Sequence, residues 1–245
     1  LRLRGVRDEM VLIGKGAHTP ECNPEALTRQ LYQSLERLQT DRLDLYFMHR
    51  DNPAIPAGEF VEVLNEHLRA GRMRAFGGSN WSIARIEEAN AYARERGLVG
   101  FTISSPNLAL AAWNEPMWPG CVAASDAVSR AWYERQQMPI FAWSSQASGM
   151  LTGRYQPEDR SDPALAAIVR TWFNEGNFQR LARAQELARK KGVTSTQVGL
   201  AWVLRQPFPT FALIGPRTIE ETRTSVEALG VDLTLDELRW LNLED

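Results

Sequence analysis

Lys15 closes the short apolar run Val11-Leu12-Ile13-Gly14-Lys15, and His49 closes the run Asp44-Leu45-Tyr46-Phe47-Met48-His49. A lysine desolvated at a strand end has a lowered pKa, so it can serve as an amine nucleophile or tune a neighbouring acid. A histidine in such a place can donate a hydrogen bond to a carbonyl oxygen as negative charge develops on it. The structural alternatives are a lysine at a surface turn and a core histidine satisfied by backbone. His18 and His67 read as loop and helix-surface residues.

Two further strings join a strand to a helix. Gly77-Gly78-Ser79-Asn80-Trp81 combines small residues, which admit a ligand close to the backbone, with side chains that can read an amide. Ser79, Asn80 or Ser82 could equally cap the next helix. Ile214-Gly215-Pro216-Arg217-Thr218 offers backbone N–H groups and an arginine to a phosphate, or else is a capped helix start with a solvated arginine. His49-Arg50-Asp51 has the look of a kinase catalytic loop, but no Asn follows at the required distance and no glycine-rich loop precedes it.

The elements that must position these residues are legible from periodicity. Short apolar runs at 10–15, 43–49, 73–79, 101–105, 139–144 and 211–215 read as strands. Helical spacing appears near 23–38, 57–70, 82–96, 125–137, 178–191, 195–205, 218–228 and 234–242. Leu27, Leu31, Leu35 and Leu38 fall on one face of the first, and Thr234 is an N-cap for the last. Strands apolar at consecutive positions imply a parallel sheet covered on both faces, and six of them with crossover helices suggest a barrel short of about two units or an open doubly wound sheet. In an eight-stranded β/α barrel, Lys15 and His49 would stand at the strand-end rim that carries active sites. No Gly-x-Gly-x-x-Gly follows any strand, which argues against a Rossmann site. The stretch from about 146 to 177 reads as a long irregular loop.

Composition sets bounds on function. The chain has 245 residues, 44% hydrophobic and 24% charged, with a net charge of −2, which gives no case for nucleic acid or a membrane surface as partner. Cys22 and Cys121 form no Cys-x-x-Cys pair, so neither a zinc site nor a disulfide framework is suggested, and a reducing, cytoplasmic compartment fits.

Taken together and in order, the segments resemble the aldo-keto reductases. VLIGKG looks like that family's lysine strand, DLYFMHRDNP like its histidine strand, and GGSN like its Gly-x-Ser-Asn turn. FAWSSQASGMLTGRY is similar to its seventh-strand motif, and KKGVTSTQVGLAWVLRQP followed by LIGPRTIEETRTS to its C-terminal cofactor region. The resemblance implies an α/β fold, a (β/α)8 TIM-type barrel, running as a single domain over 1–245. It also implies a nicotinamide cofactor, NADP(H) or else NAD(H), and a small-molecule carbonyl substrate.

By the same resemblance Lys15 and His49 belong to a catalytic tetrad, and Ser79 and Asn80 hold the nicotinamide carboxamide. Trp143 replaces the tyrosine that stacks on the nicotinamide. Ser144, Gln146, Ser148, Gly149 and Leu151 lie along the pyrophosphate. Gly215 is a further cofactor contact, Arg217 and Thr218 meet the adenosine 2′-phosphate, Glu221 weakens its binding, and Ser225 stands where asparagine is common.

The chain also departs from the family. Nothing like the Asp-Thr-Ala-x-x-Tyr-Gly motif precedes Lys15, and Tyr32, Tyr46, Tyr92, Tyr133 and Tyr155 do not match its tyrosine. The expectation is a barrel lacking about its first two β/α units, with the catalytic aspartate and tyrosine absent and activity in doubt. The competing readings are a nucleotide-binding barrel without turnover and a Schiff-base enzyme acting through Lys15.

Overall fold

The computed structural model describes residues 5–244. They fall into two compact units, Leu1–Ser105 and Pro106–Asp245.

In the first unit, four strands alternate with three helices: β1 (Ile13–Gly16), α1 (Pro24–Leu38), β2 (Leu45–Met48), α2 (Ala57–Arg69), β3 (Ala75–Ser79), α3 (Ile83–Arg96) and β4 (Ile103–Ser105). The strands are parallel and paired in chain order, and their register aligns Lys15 with Phe47, Phe47 with Gly77, and Ser79 with Ser105. Aligned residues of neighbouring parallel strands share a face, so these side chains lie on one side of the sheet. Tyr46 and Phe76 lie on the other, against the helices.

Helix starts follow local capping chemistry. The Asn23 side chain accepts from Ala26 N at 2.8 Å, and Pro24 takes the first turn of α1. Ser82, not Ser79 or Asn80, caps α3 by accepting from Arg85 N. Leu27, Leu31 and Leu35 are buried as their spacing predicts, but Leu38 is half exposed, because it lies at the end of α1. The glycine pair of β3 answers to packing: a Cβ at Gly77 would collide with Ile103 O, and one at Gly78 with the Trp81 ring.

His67 corrects the sequence reading. It is buried, not on the helix surface. Its Nε2 is 2.9 Å from Thr28 Oγ1, and Arg72 Nη1 lies 3.1 Å from its Nδ1, which ties α2 to α1. Burial and the Arg72 charge push its pKa down.

The second unit contains α4 (Ala127–Gln136), β5 (Ile140–Ala142), α5 (Ala166–Trp172), α6 (Glu175–Lys191), α7 (Ser195–Leu204), β6 (Thr210–Ala212), α8 (Ile219–Glu227) and α9 (Leu235–Leu241). β5 and β6 are parallel, and the Thr234 cap of α9 is as expected. The stretch expected to be irregular is ordered. Three 3₁₀ turns between Ala147 and Leu165 lead into α5, and α6 begins at Glu175. Ala147, Met150, Tyr155, Trp172 and Phe173 form one buried cluster with Ala109 and Ala111, so this segment is a packed layer. Buried Asn177 fastens it by donating to Ala112 O and Trp172 O.

Candidate active site

Lys15 is half-buried at the end of β1. Its Nζ donates to Ser79 Oγ at 3.1 Å and Ser105 Oγ at 2.9 Å, and lies 5.4 Å from the Phe47 ring centre. Burial, then the Arg50 guanidinium, lowers its pKa to about 8. Ser79 Oγ donates in turn to Ser105 O at 2.9 Å.

His49 follows β2. Its backbone N donates to Gly16 O at 2.6 Å, and its ring packs edge-on against His18 with centroids 4.7 Å apart. Burial and the charges of Lys15, His18 and Arg50 push it down to about 4, so the ring is neutral at pH 7. The loop beyond it is held firmly. Arg50 O accepts from both Cys22 Sγ and Trp81 Nε1, and Asp51 takes a two-pronged bond from Arg85. Asn80, left-handed at φ 60°, turns its Nδ2 toward His49 O and Ser79 Oγ. The first unit therefore places Lys15, His49, Ser79 and Asn80 near one another. Ser105, which the sequence reading did not single out, joins them through its hydroxyl and its carbonyl.

In the second unit, Trp143, Ser144, Ser145, Gln146, Ser148, Gly149, Leu213, Ile214 and Gly215 line a cavity of about 440 Å³, within the range of small-molecule sites. The backbone is left-handed at Ser144, Ala147, Ser148 and Gly149, a type of turn that can gather N–H groups around an anion. Trp143 Nε1 is buried without a hydrogen-bond partner. A Cβ at Gly215 would meet nothing within 4 Å, so the backbone is open to close approach there. These features fit part of a nucleotide: a flat ring, a polar turn and an open glycine.

Not every expected residue joins this cavity. Leu151 is buried, where it packs so closely on Gly199 that a Cβ there would collide with it, and its carbonyl accepts from Ser195 Oγ. Ser225 Oγ donates to Glu221 O within its own helix. Thr218 caps α8 by accepting from Glu221 N, and the Glu221 carboxylate accepts from Arg217 N at 2.6 Å. Arg217 itself is exposed and makes no ion pair among the described residues. Ser145 was not singled out by the sequence reading. It lines the cavity and donates to Leu213 O. Its place beside Ser144 in the same motif was the available signal.

The sequence matches the model of the aldo/keto reductase family over residues 2–242. The chain belongs to that family. Among its relatives, the uncharacterized oxidoreductase YrpG of Bacillus subtilis (strain 168) is 28% identical, aligned over 97% of this chain and 73% of its own length. Protein tas of Escherichia coli (strain K12) is 27% identical over 97% of this chain and 75% of its own. A crystal structure of the thermostable aldo-keto reductase Tm1743, in complex with the inhibitor epalrestat, covers 98% of this chain and 73% of its own with a TM-score of 0.70 at 21% identity. The fold is therefore α/β of the TIM-barrel type, as an aldo-keto reductase requires.

Tyr46 is the tyrosine nearest Lys15 in the register, but it faces the helices: a Cβ at Gly16 would collide with its hydroxyl, which is buried without a partner. No helix among the described residues is long and apolar enough to cross a membrane, and no cluster of three metal-ligating side chains is found among them.

Proposed function

We propose that this aldo-keto reductase chain serves NADP(H)-dependent reduction of aldehydes and ketones to alcohols, as a single domain acting in the cytoplasm. The observation that carries the proposal is the convergence of Lys15 and His49 on one strand-end face, with Ser79 and Ser105 bonded to the amine. When bound, the nicotinamide supplies hydride to the carbonyl carbon. The neutral His49 ring donates an N–H to the carbonyl oxygen, and the Lys15 ammonium, present below about pH 8, stabilises the charge growing there. Trp143 offers its ring to the nicotinamide, Ser79 and Asn80 bind the carboxamide, and Ser144, Gln146, Ser148 and Gly149 hold the pyrophosphate. Arg217 favours NADPH over NADH through the 2′-phosphate.

The test is a titration with NADPH, and separately NADH, followed by tryptophan fluorescence. Saturable quenching, stronger for NADPH and lost in Trp143→Phe, supports the reading. A chain that melts cooperatively yet shows no quenching overturns it.

A second reading is favoured by Tyr46, which faces away from Lys15. In it the chain binds the nucleotide without turning over, because no phenol among the described residues stands beside the lysine to protonate the product. Tight NADPH binding with no NADPH oxidation over a broad aldehyde panel would decide for it.

A further inference from the structure

Asn107 lies just beyond β4 and is fully buried. Its backbone N donates to Val122 O at 2.8 Å, and its carbonyl accepts from Ala124 N at 2.8 Å. Ser125 Oγ repeats the fastening, accepting from Ala109 N and donating to Ala109 O. These bonds close the base of a loop over 110–121 that carries Trp113 and Trp118. Both indoles pack on Trp143, with ring centres 5.7 and 6.3 Å away. The Asn107 side chain reaches the same residue: its Nδ2 donates to Trp143 O at 2.9 Å. We propose that Asn107 is a positioning residue for the nicotinamide, acting through the Trp143 carbonyl to fix the indole on which the ring stacks.

The amide is oriented by its chemistry. Trp143 O can only accept, so the amide nitrogen must face it and the amide oxygen must face away. That oxygen, Oδ1, is buried, and no group among the described residues donates to it. A leucine would fill nearly the same volume without burying a polar atom, so packing alone gives no reason for an amide. The donor end gives one. Trp143 N donates to Pro106 O at 3.3 Å, so residues 106 and 107 hold Trp143 at both its N–H and its carbonyl. Directly beyond that carbonyl the backbone turns left-handed at Ser144, with φ 49°, a conformation that a residue other than glycine keeps only with support from its surroundings. Trp143 is thus pinned where β5 has ended and the turn begins, which sets the direction of its Cα–Cβ bond and so the place of its ring.

The inference rests on the reading of Trp143 as the platform for the nicotinamide, and adds the residue that holds the platform. Asn107 does not line the cavity that Trp143 lines, so its influence on a bound nucleotide passes through the indole. Stacking of flat rings depends on their offset and tilt, so a ring free to tilt loses contact with its partner. Removing the amide leaves the loop base fastened by the backbone of residue 107 and by Ser125, so the fold does not depend on the side chain.

The test compares the whole chain with Asn107→Leu and with Asn107→Ser, whose hydroxyl is too short to reach Trp143 O. Urea unfolding checks the fold. The Trp143 band in near-ultraviolet circular dichroism, taken without nucleotide as the difference from Trp143→Ala, reports how the indole is held. NADPH affinity is read from the fluorescence of the nucleotide itself. Asn107→Leu should unfold near the wild-type midpoint, and both variants should show a weakened Trp143 band. NADPH affinity should fall about tenfold, and Asn107→Leu should cost little more when added to Trp143→Ala, because the two act through one ring. A Trp143 band unchanged in both variants overturns the proposal, as does a loss of affinity that adds in full to that of Trp143→Ala. Failure of both variants to fold overturns it too, since the amide would then be a fastener of the fold. A wild-type chain that binds no NADPH would sink the reading of the site, while the band shows independently whether Asn107 sets the indole.

Discussion

Lys15 Nζ reaches Ser105 Oγ at 2.9 Å, from the first strand of its sheet to the fourth. Three inter-strand steps of about 4.8 Å would set those strands about 14 Å apart in a flat sheet, well beyond a lysine side chain. The sheet of the first unit therefore curls around this face, with Phe47 beneath the amine. Curling is what brings residues 90 positions apart in sequence into one polar cluster.

The pH dependence of stability should reveal how His49 is held. Its folded pKa, about 4, lies below the ordinary 6.5. Between those values the unfolded chain binds a proton that the native chain does not, so native stability falls as pH drops from 6.5 to 4. His67 acts in the same direction. Lys15, at about 8 against 10.5, makes stability rise with pH between those two values. Urea midpoints of wild type and His49→Gln, measured across pH 6.5 to 4, should show the variant gaining relative to wild type on acidification. A difference that does not change with pH would rule out a buried neutral His49.

Tyr46 presents a hydroxyl to a pocket with no partner for it. Burial raises its pKa, so the group stays protonated. An unsatisfied buried hydroxyl costs about 1–3 kcal/mol. Tyr46→Phe should therefore be neutral or stabilising by about 1 kcal/mol in urea unfolding, and should leave NADPH binding unchanged. Gly16→Ala should destabilise, since its new methyl meets that hydroxyl, and should do so less in the Tyr46→Phe background. A clear loss of stability in Tyr46→Phe would mean that the hydroxyl has a partner.

Much of this was legible in the sequence, for physical reasons. Lys15 and His49 stood out because polar side chains at the ends of apolar strands need an explanation, and the structure places them at strand ends. Ser105 did not stand out, because its part depends on the register that aligns it with Ser79. His67 was misread although Phe60, Leu64 and His67 share helical spacing, which places it on the buried face of α2. Helix α5 was missed because its start carries no side-chain cap, unlike the equally short α9 with its Thr234 capping box, and its place is set by Trp172 packing in the loop cluster.

Arg85 offers a test of how the loop behind His49 is held. Its Nε and Nη2 donate to the two oxygens of Asp51 at 2.9 and 3.0 Å, Nη2 also donates to Ile55 O, and the guanidinium lies 5.1 Å from the Trp81 ring. A lysine is a point charge and cannot reproduce that fork. Arg85→Lys should cost about 2 kcal/mol in urea unfolding. A cost below about 0.5 kcal/mol, the range of a neutral surface change, would mean the fork is not formed.

Cofactor preference turns on two residues at the start of α8. Arg217 is exposed and makes no ion pair among the described residues, whereas Glu221 brings a carboxylate to the same helix N-terminus, where it accepts from Arg217 N. A 2′-phosphate placed there would gain a charge-assisted bond from the arginine and meet repulsion from the glutamate. Arg217→Ala should weaken NADPH binding about tenfold, or about 1.4 kcal/mol, while NADH binding changes little. Glu221→Gln should act in the opposite sense, tightening NADPH binding by about twofold to threefold, because it removes a like charge and keeps the side-chain length. Both would be read from the fluorescence titration, with each nucleotide in turn. Equal losses for NADH and NADPH in Arg217→Ala would show that the arginine does not read the 2′-phosphate.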